Sequence, residues 1–198
     1  MTVIHQEDLV RSIATIIRQE DFIQSIADAF QYISYYHPVD YIKALAQAYE
    51  REESAAAKDA IAQILINSRM CAEGHRPICQ DTGIALVFLK VGMDVRWDAT
   101  LSVQEMVNEG VRRAYLDPGN KLRASVLLDP AGKRINSKDN TPAVVHYKIV
   151  PGERLEVICA AKGGGSEAKS KFAMLNPSDD LVEWVLKTVP TMGAGWCP

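Results

Sequence analysis

Apolar residues in the first third of the chain recur at helical spacing. Leu9, Ile13, Ile16, Ile17, Ile23, Ile26, Ala27, Phe30 and Ile33 follow a 3.6-residue period that is interrupted near Gln19-Glu20-Asp21. The spacing predicts two amphipathic helices within residues 6–34. A turn follows at His37-Pro38, Asp40 stands at a helix start, and the alanine-rich stretches 41–49 and 54–70 predict two more helices. Beyond Pro77 the pattern changes. Apolar runs at 84–91, 143–150 and 154–161 read as strands, with helices over about 103–115 and 178–188. The expected fold is α/β, a helical N-terminal third followed by a mixed sheet flanked by helices. No repeat, low-complexity tract or Gly/Ser linker divides the chain. One domain therefore accounts for residues 1–198, with a helical lobe over about 1–70 and an α/β part over about 71–198.

Composition narrows the function classes. With 198 residues and 47% hydrophobic content, the chain can bury a substantial core. A net charge of -3 leaves no electrostatic footprint for nucleic acid. The opening Met1-Thr2-Val3-Ile4-His5 lacks a basic n-region and an apolar h-region, and no run approaches the roughly 18 apolar residues of a membrane span, so a cytoplasmic protein is expected. Cys71, Cys79, Cys159 and Cys197 contain no CxxC pair, which argues against a short-range zinc knuckle. A chain with an ample core needs no disulfide staples, so reduced thiols are expected, some of them metal-binding.

Chemistry concentrates at Cys79-Gln80-Asp81-Thr82-Gly83, where a thiol, an amide, a carboxylate and a hydroxyl immediately precede the apolar run Ile84–Leu89. A polar cluster at a strand end is a common address for a site. The same pentapeptide also suits a turn capped by Asp81. Lys162-Gly163-Gly164-Gly165-Ser166-Glu167 follows another strand-like run, and its bare backbone amides suit a small anion. Neither dinucleotide nor P-loop spacing is present. Lys162 reads equally as a substrate contact or a solvated flank. Cys71 and Cys159 read as core thiols. His146 reads as a core or edge histidine, His5 and His37 as surface or packing residues, and His75, close before Cys79, as able to approach the site.

These motifs, with Leu122-Arg123-Ala124-Ser125, Asp129-Pro130, Asn136-Ser137-Lys138-Asp139-Asn140-Thr141-Pro142 and the final Gly193 to Pro198 between and after them, occur in an order that resembles the N-terminal region of class I fumarases and the related L-tartrate dehydratases. These are iron-sulfur-dependent hydro-lyases, and the resemblance covers roughly residues 45–198. The chain departs from the family where Ser137-Lys138 stand in place of Thr-Gly and where Ala168 stands in place of Asn. The resemblance implies a 4Fe-4S cluster held by Cys79, Cys197 and a third cysteine outside this chain. It implies Asp81 in proton transfer, paired with a threonine of a C-terminal domain, and Gln80, Arg123 and Gly165 in binding a small C4 dicarboxylate. Arg123 offers a planar fork for a carboxylate. The implied activity is reversible hydration of fumarate to malate in the tricarboxylic acid cycle, with the α subunit of an L-tartrate dehydratase as the alternative. A C-terminal domain or β subunit and a homo-oligomer are the implied partners. Because the sequence stops just after Cys197, the C-terminal catalytic domain is expected to be missing and the isolated chain inactive. Outside this class stand an iron-sulfur electron-transfer or sensing protein, for which four closely grouped cysteines would be expected, and a structural domain with free thiols.

Overall fold

The computed structural model describes residues 15–79, 81–119, 122–163 and 170–193. A short strand β1 (Ile16–Arg18) runs directly into helix α1 (Gln19–Tyr35), followed by α2 (Val39–Arg51) and α3 (Ala55–Gly74). Then come β2 (Ile84–Gly92), β3 (Arg96–Asp98), helix α4 (Val103–Leu116) and the small strands β4 (Leu127–Leu128) and β5 (Ile135–Asn136). Strands β6 (Val144–Val150) and β7 (Leu155–Lys162) complete the main sheet, and α5 (Leu181–Thr188) continues into a 3-10 turn at Val189–Met192. The mixed α/β layout matches the sequence pattern. Each predicted strand and helix beyond residue 38 appears within a few residues of its expected limits.

The region around residue 19 differs. Gln19-Glu20-Asp21, which interrupts the apolar period, is the acidic first turn of α1 rather than a break between helices, and Ile16–Arg18 is a strand. It pairs in parallel with β3, from Ile16 opposite Arg96 to Arg18 opposite Asp98. Three residues are too few to show strand alternation. The contact is tertiary: Gln19 Oε1 accepts from the amides of Thr100 and Leu101, and Phe22 meets Trp97 edge-on at 5.2 Å. The portion of the first expected helix that precedes residue 15 lies outside the described residues.

The main sheet has the order β6-β2-β7, with β2 parallel to β6 and antiparallel to β7. Along β2, Ala85, Val87 and Leu89 point to one face and are fully buried. They meet Ile23, Ile26 and Phe30 of α1 and Met106, Val107 and Val111 of α4, all at most 1% exposed. Each such side chain contributes on the order of 1.5–3 kcal/mol through burial. Helix α4 begins with a capping box between Ser102 and Glu105, so its register is set before it packs. The opposite sheet face is open: Phe88 stacks on His146 at 4.9 Å, Ile158 is half exposed, and Lys90 pairs with Glu156. Helix α5 buries none of its side chains.

Helices α1 and α4 approach at Gly110, where an added Cβ would lie 2.6 Å from Ile26 Cβ and 2.7 Å from the Ile23 carbonyl oxygen. Gly110→Ala gains about 1 kcal/mol of helix propensity but forces two backbones apart, at a cost of about 1–3 kcal/mol. A carbonyl cannot rotate away as a side-chain tip can, so the clash wins. Differential scanning calorimetry should show a lower Tm for this variant.

Tyr115 on α4 is 5% exposed and donates its hydroxyl to the Thr82 carbonyl at 3.0 Å, tying the helix to the start of β2. Burial pushes its phenol up to about 12, and the nearby Asp81 charge acts in the same direction. Tyr115→Phe strands the Thr82 carbonyl and should cost on the order of 1–3 kcal/mol near neutral pH. The raised value means that between about pH 10 and 12 the unfolded chain has released a proton that the folded chain retains. The native phenol's advantage is therefore fully present below about pH 10 and lost as pH rises toward 12. The Tm difference between parent and variant should shrink across that window. A difference that stays constant up to pH 12 would refute the assignment.

Candidate functional site

Strands β2 and β6 begin at one end of the main sheet, and the antiparallel β7 ends there. That topology brings together four stretches that are distant in sequence: Cys79 with Asp81 to Gly83, Leu122 to Val126, Asn136 to Ala143, and Gly163. Helix α4 holds the third stretch from outside. Arg112 pairs with Asp139, Asn108 Oδ1 accepts from the Ala143 amide at 3.0 Å, and Gln104 donates to the Ala143 carbonyl at 3.2 Å.

The loop carrying Cys79 is clamped from two sides. The Ile78 amide donates to the Ser34 carbonyl of α1 at 2.9 Å, and the Ile78 carbonyl accepts from Asn67 Nδ2 of α3 at 3.0 Å. Cys71 supports the same turn, with its Sγ 3.5 Å from the Pro77 carbonyl oxygen. The result is a cavity of about 240 Å³ lined by Cys79, Asp81, Thr82, His37 and Ile33, among others. His37 joins the α1–α2 turn to α3 through Ser68 Oγ at 3.0 Å, and burial lowers its pKa, which favours a neutral ring at pH 7.

The three described cysteines are chemically distinct. Cys71 is 4% exposed, and burial raises its thiol pKa. Cys159 lies on the core side of β7, opposite Val87, and burial pushes it up to about 11. Both suit the neutral thiol. Cys79 is partly exposed and lines the cavity, so it is the described thiol placed to reach a metal. Among the described residues no group of three or more His, Cys, Asp or Glu side chains is assembled to hold a metal ion.

Asp81 lies at the centre. Its Oδ1 accepts from the Gly83 amide at 3.0 Å and from Ser125 Oγ at 3.3 Å. Gly163, the first glycine of the triple-glycine stretch, lies close by: a Cβ there would stand 3.3 Å from Asp81 Oδ2. The turn reading and the site reading of Asp81 thus hold together, since the Asx-type bond to Gly83 is what orients the carboxylate. Gly83 has φ +75°, and a Cβ there would sit 2.6 Å from the Lys162 backbone carbonyl carbon, so glycine is required. Thr82 is buried and donates its hydroxyl to the Arg123 carbonyl. The Arg123 backbone is thereby fixed beside Asp81 while its side chain remains exposed.

Asn140 fastens the loops together. It is fully buried at φ +61°, its Oδ1 accepts from the amides of Ser125 and Val126 at 2.7 and 3.3 Å, and its Nδ2 donates to the Gly83 carbonyl at 3.0 Å.

Of the site residues expected from sequence, Cys79, Asp81 and Arg123 come together at this sheet end, while Gln80, Gly165 and Cys197 lie outside the described residues, as does Ala168. His75 caps α3 in a left-handed conformation, stacked on Tyr35 at 5.3 Å and bonded to the Tyr36 hydroxyl, and is not among the cavity-lining residues. His146 is on the edge strand β6, as expected of an edge histidine. Sequence reasoning gave no role to Ser125, Asn140, Tyr115 or His37. The first two lay inside motifs already singled out, whereas nothing in the sequence distinguishes Tyr115 from an ordinary core-facing helix residue.

Comparison with known proteins matches residues 23–198 to the family model described as fumarate hydratase (Fumerase). A Methanocaldococcus jannaschii protein that carries the provisional name L(+)-tartrate dehydratase subunit alpha is 32% identical over 177 residues, covering 86% of this chain and 61% of that protein. The anaerobic class I fumarate hydratase of Escherichia coli K12 is 31% identical over 166 residues, covering 81% of this chain and 30% of that protein. The L(+)-tartrate dehydratase subunit alpha of Escherichia coli O157:H7 is 27% identical over 165 residues, covering 81% and 54%. The chain thus spans less than two thirds of the length of each of these relatives. A family match over residues 23–198, nearly the whole chain, leads to one conclusion: the chain belongs to the class I fumarate hydratase (Fumerase) family.

Proposed function

We propose that residues 1–198 form the N-terminal, cluster-binding domain or subunit of a class I fumarate hydratase, which adds water reversibly to fumarate to give malate in the tricarboxylic acid cycle. The observation that carries this reading is a cavity lined by both Cys79 and Asp81, with Asp81 bonded to Ser125 of the second motif and the loop tied through Gly83 to Asn140 of the third. The donor set fits an iron-sulfur group: Cys79 is a partly exposed thiol in the cavity wall, while Cys71 and Cys159 are held as neutral core thiols. Cys79 and Cys197 would hold a 4Fe-4S cluster with a third cysteine from outside the chain. Such a cluster, bound through three cysteines, keeps one iron open and supplies a Lewis acid toward the substrate hydroxyl and carboxylate. Asp81, oriented by Gly83 and Ser125, holds or passes the proton exchanged at the neighbouring carbon. Arg123 binds the far carboxylate through its planar fork, while Gln80 and the Gly165 amide add hydrogen bonds.

The partner in this reading is the C-terminal domain or β subunit that brings the third cysteine, within a cytoplasmic homo-oligomer. Among the described residues no helix is long and apolar enough to cross a membrane. The second reading, the α subunit of an L-tartrate dehydratase that converts tartrate to oxaloacetate, is favoured by the larger share of such a subunit that the chain matches, 61% against 30% for the anaerobic class I fumarate hydratase. Assay of the assembled, anaerobically loaded enzyme on malate and on L-tartrate separates the two. Turnover of tartrate with none of malate would overturn the fumarate reading. The chain alone, loaded in the same way, should fold and show no hydratase activity.

The site assignments make three further predictions. In native conditions iodoacetamide should modify Cys79 well before Cys71 or Cys159, as read by peptide mass spectrometry. Cys79→Ser should abolish cluster assembly in the complete enzyme, while Cys159→Ala should leave iron and sulfide counts near those of the parent, because a hydroxyl does not replace a soft thiolate ligand. A normal iron count in Cys79→Ser would remove it from the ligand set. Arg123→Lys should raise KM with cluster content unchanged, since one charge-assisted hydrogen bond is worth about 1.5–3 kcal/mol. Unchanged kinetics would return Arg123 to a solvated role.

A further inference from the structure

We propose that Asn140 is a positioning residue of this site and acts through Asp81. What Asp81 does rests on the hydro-lyase reading above; how it is held rests on geometry alone. The Gly83 amide and the Ser125 hydroxyl both donate to Asp81 Oδ1. Asn140 grips both of those residues by their backbones, accepting from the Ser125 amide at 2.7 Å and donating to the Gly83 carbonyl at 3.0 Å. One primary amide thus spans the two loops that orient one carboxylate. The role needs a donor and an acceptor on the same short side chain, on a residue that tolerates a left-handed backbone, here φ +61°. Asparagine meets both needs.

The anchor is stiff. Flanking Asp139 is tied to the Thr141 amide at 3.0 Å and to Arg112 of α4, and Ala143 is tied to Asn108 and Gln104 of the same helix. Asn140 therefore refers the Asp81 loop and the Ser125 loop to one rigid helix, and its side chain is fully buried, away from competing water. The Thr82–Arg123 and Tyr115–Thr82 bonds tie the same loops independently. Loss of Asn140 should consequently displace the carboxylate without dismantling the fold.

The test is a double-mutant cycle in the assembled, cluster-loaded enzyme, with amide hydrogen exchange alongside. Asn140→Gly keeps the left-handed backbone and removes all three bonds. It should lower kcat on the order of 100-fold, the scale of a displacement of about 1 Å in a catalytic group, with KM little changed. In an Asp81→Asn background the same substitution should have almost no further effect on kcat, because the group it positions is already gone. Losses that add across the cycle, or a kcat unchanged by Asn140→Gly, would overturn the proposal and leave Asn140 a stabilising residue only. Should Asn140→Gly fail to fold, Asn140→Asp, which keeps the acceptor and loses the donor to Gly83, carries the same cycle. Exchange should show the Ser125 and Val126 amides losing protection in Asn140→Gly while the β2 ladder keeps its own. If the parent assembly acts on neither malate nor tartrate, the hydro-lyase reading fails and exchange alone decides: lost protection at Ser125 and Val126 supports the positioning role, and retained protection overturns it.

Discussion

Everything at the site depends on the seating of strand β2. Ala85, Val87 and Leu89 lock into the layer formed by α1 and α4, with no exposure left at any of the three. A slip of one residue would turn Ile84, Leu86 and Phe88 inward and send the buried set to solvent, so the register is strongly specified. The residues just before the strand inherit that register. Thr82 can reach Arg123, Tyr115 can reach Thr82, and the Gly83 carbonyl can reach Asn140 only because Ile84 starts where it does.

The loops at the sheet end contain almost no regular structure, yet several of their buried polar groups are paired across them, although the Ser137 hydroxyl finds no partner among the described residues. Asn140, Thr82 and the Tyr115 hydroxyl are all withdrawn from water, and each finds a partner across a loop boundary. In such surroundings a hydrogen bond is stronger than in water, and a lost one leaves a group that nothing replaces. Irregular backbone can therefore be held as firmly as a strand. For the proposed chemistry, the consequence is that Asp81 meets its substrate with its orientation already set, which spares the ordering that would otherwise be needed at the reacting carbon.

The thiols illustrate how position outweighs residue type. Cys159 and Cys79 differ in setting, one inside a strand facing the core and the other on a clamped loop that lines the cavity. Burial holds the first as a neutral thiol, with a value near 11, while the second is partly exposed in the cavity wall. The sheet itself is equally asymmetric. Its helix-covered face carries the core, and its other face leaves Phe88 and Ile158 substantially exposed.

Much of this was legible from residue order alone. Period 3.6 around Phe22 to Phe30 and the unbroken apolar run Ile84–Leu89 reflect burial, which acts on each residue of an element and so leaves a repeating trace. The ordered motifs at 79–83, 122–125, 136–142 and 162–167 likewise marked the family and the residues to watch. The sequence did not reveal that Ile16–Arg18 would pair with Arg96–Asp98, or that Asn140 and Tyr115 would join loops dozens of residues away. A single long-range bond has no period and changes no composition. Only the sheet topology, which starts β2 and β6 and ends β7 at the same place, brings those partners within hydrogen-bond reach, so the turn bond from Gly83 to Asp81 was legible in the sequence whereas tertiary structure alone decided how Ser125 and Asn140 hold that turn.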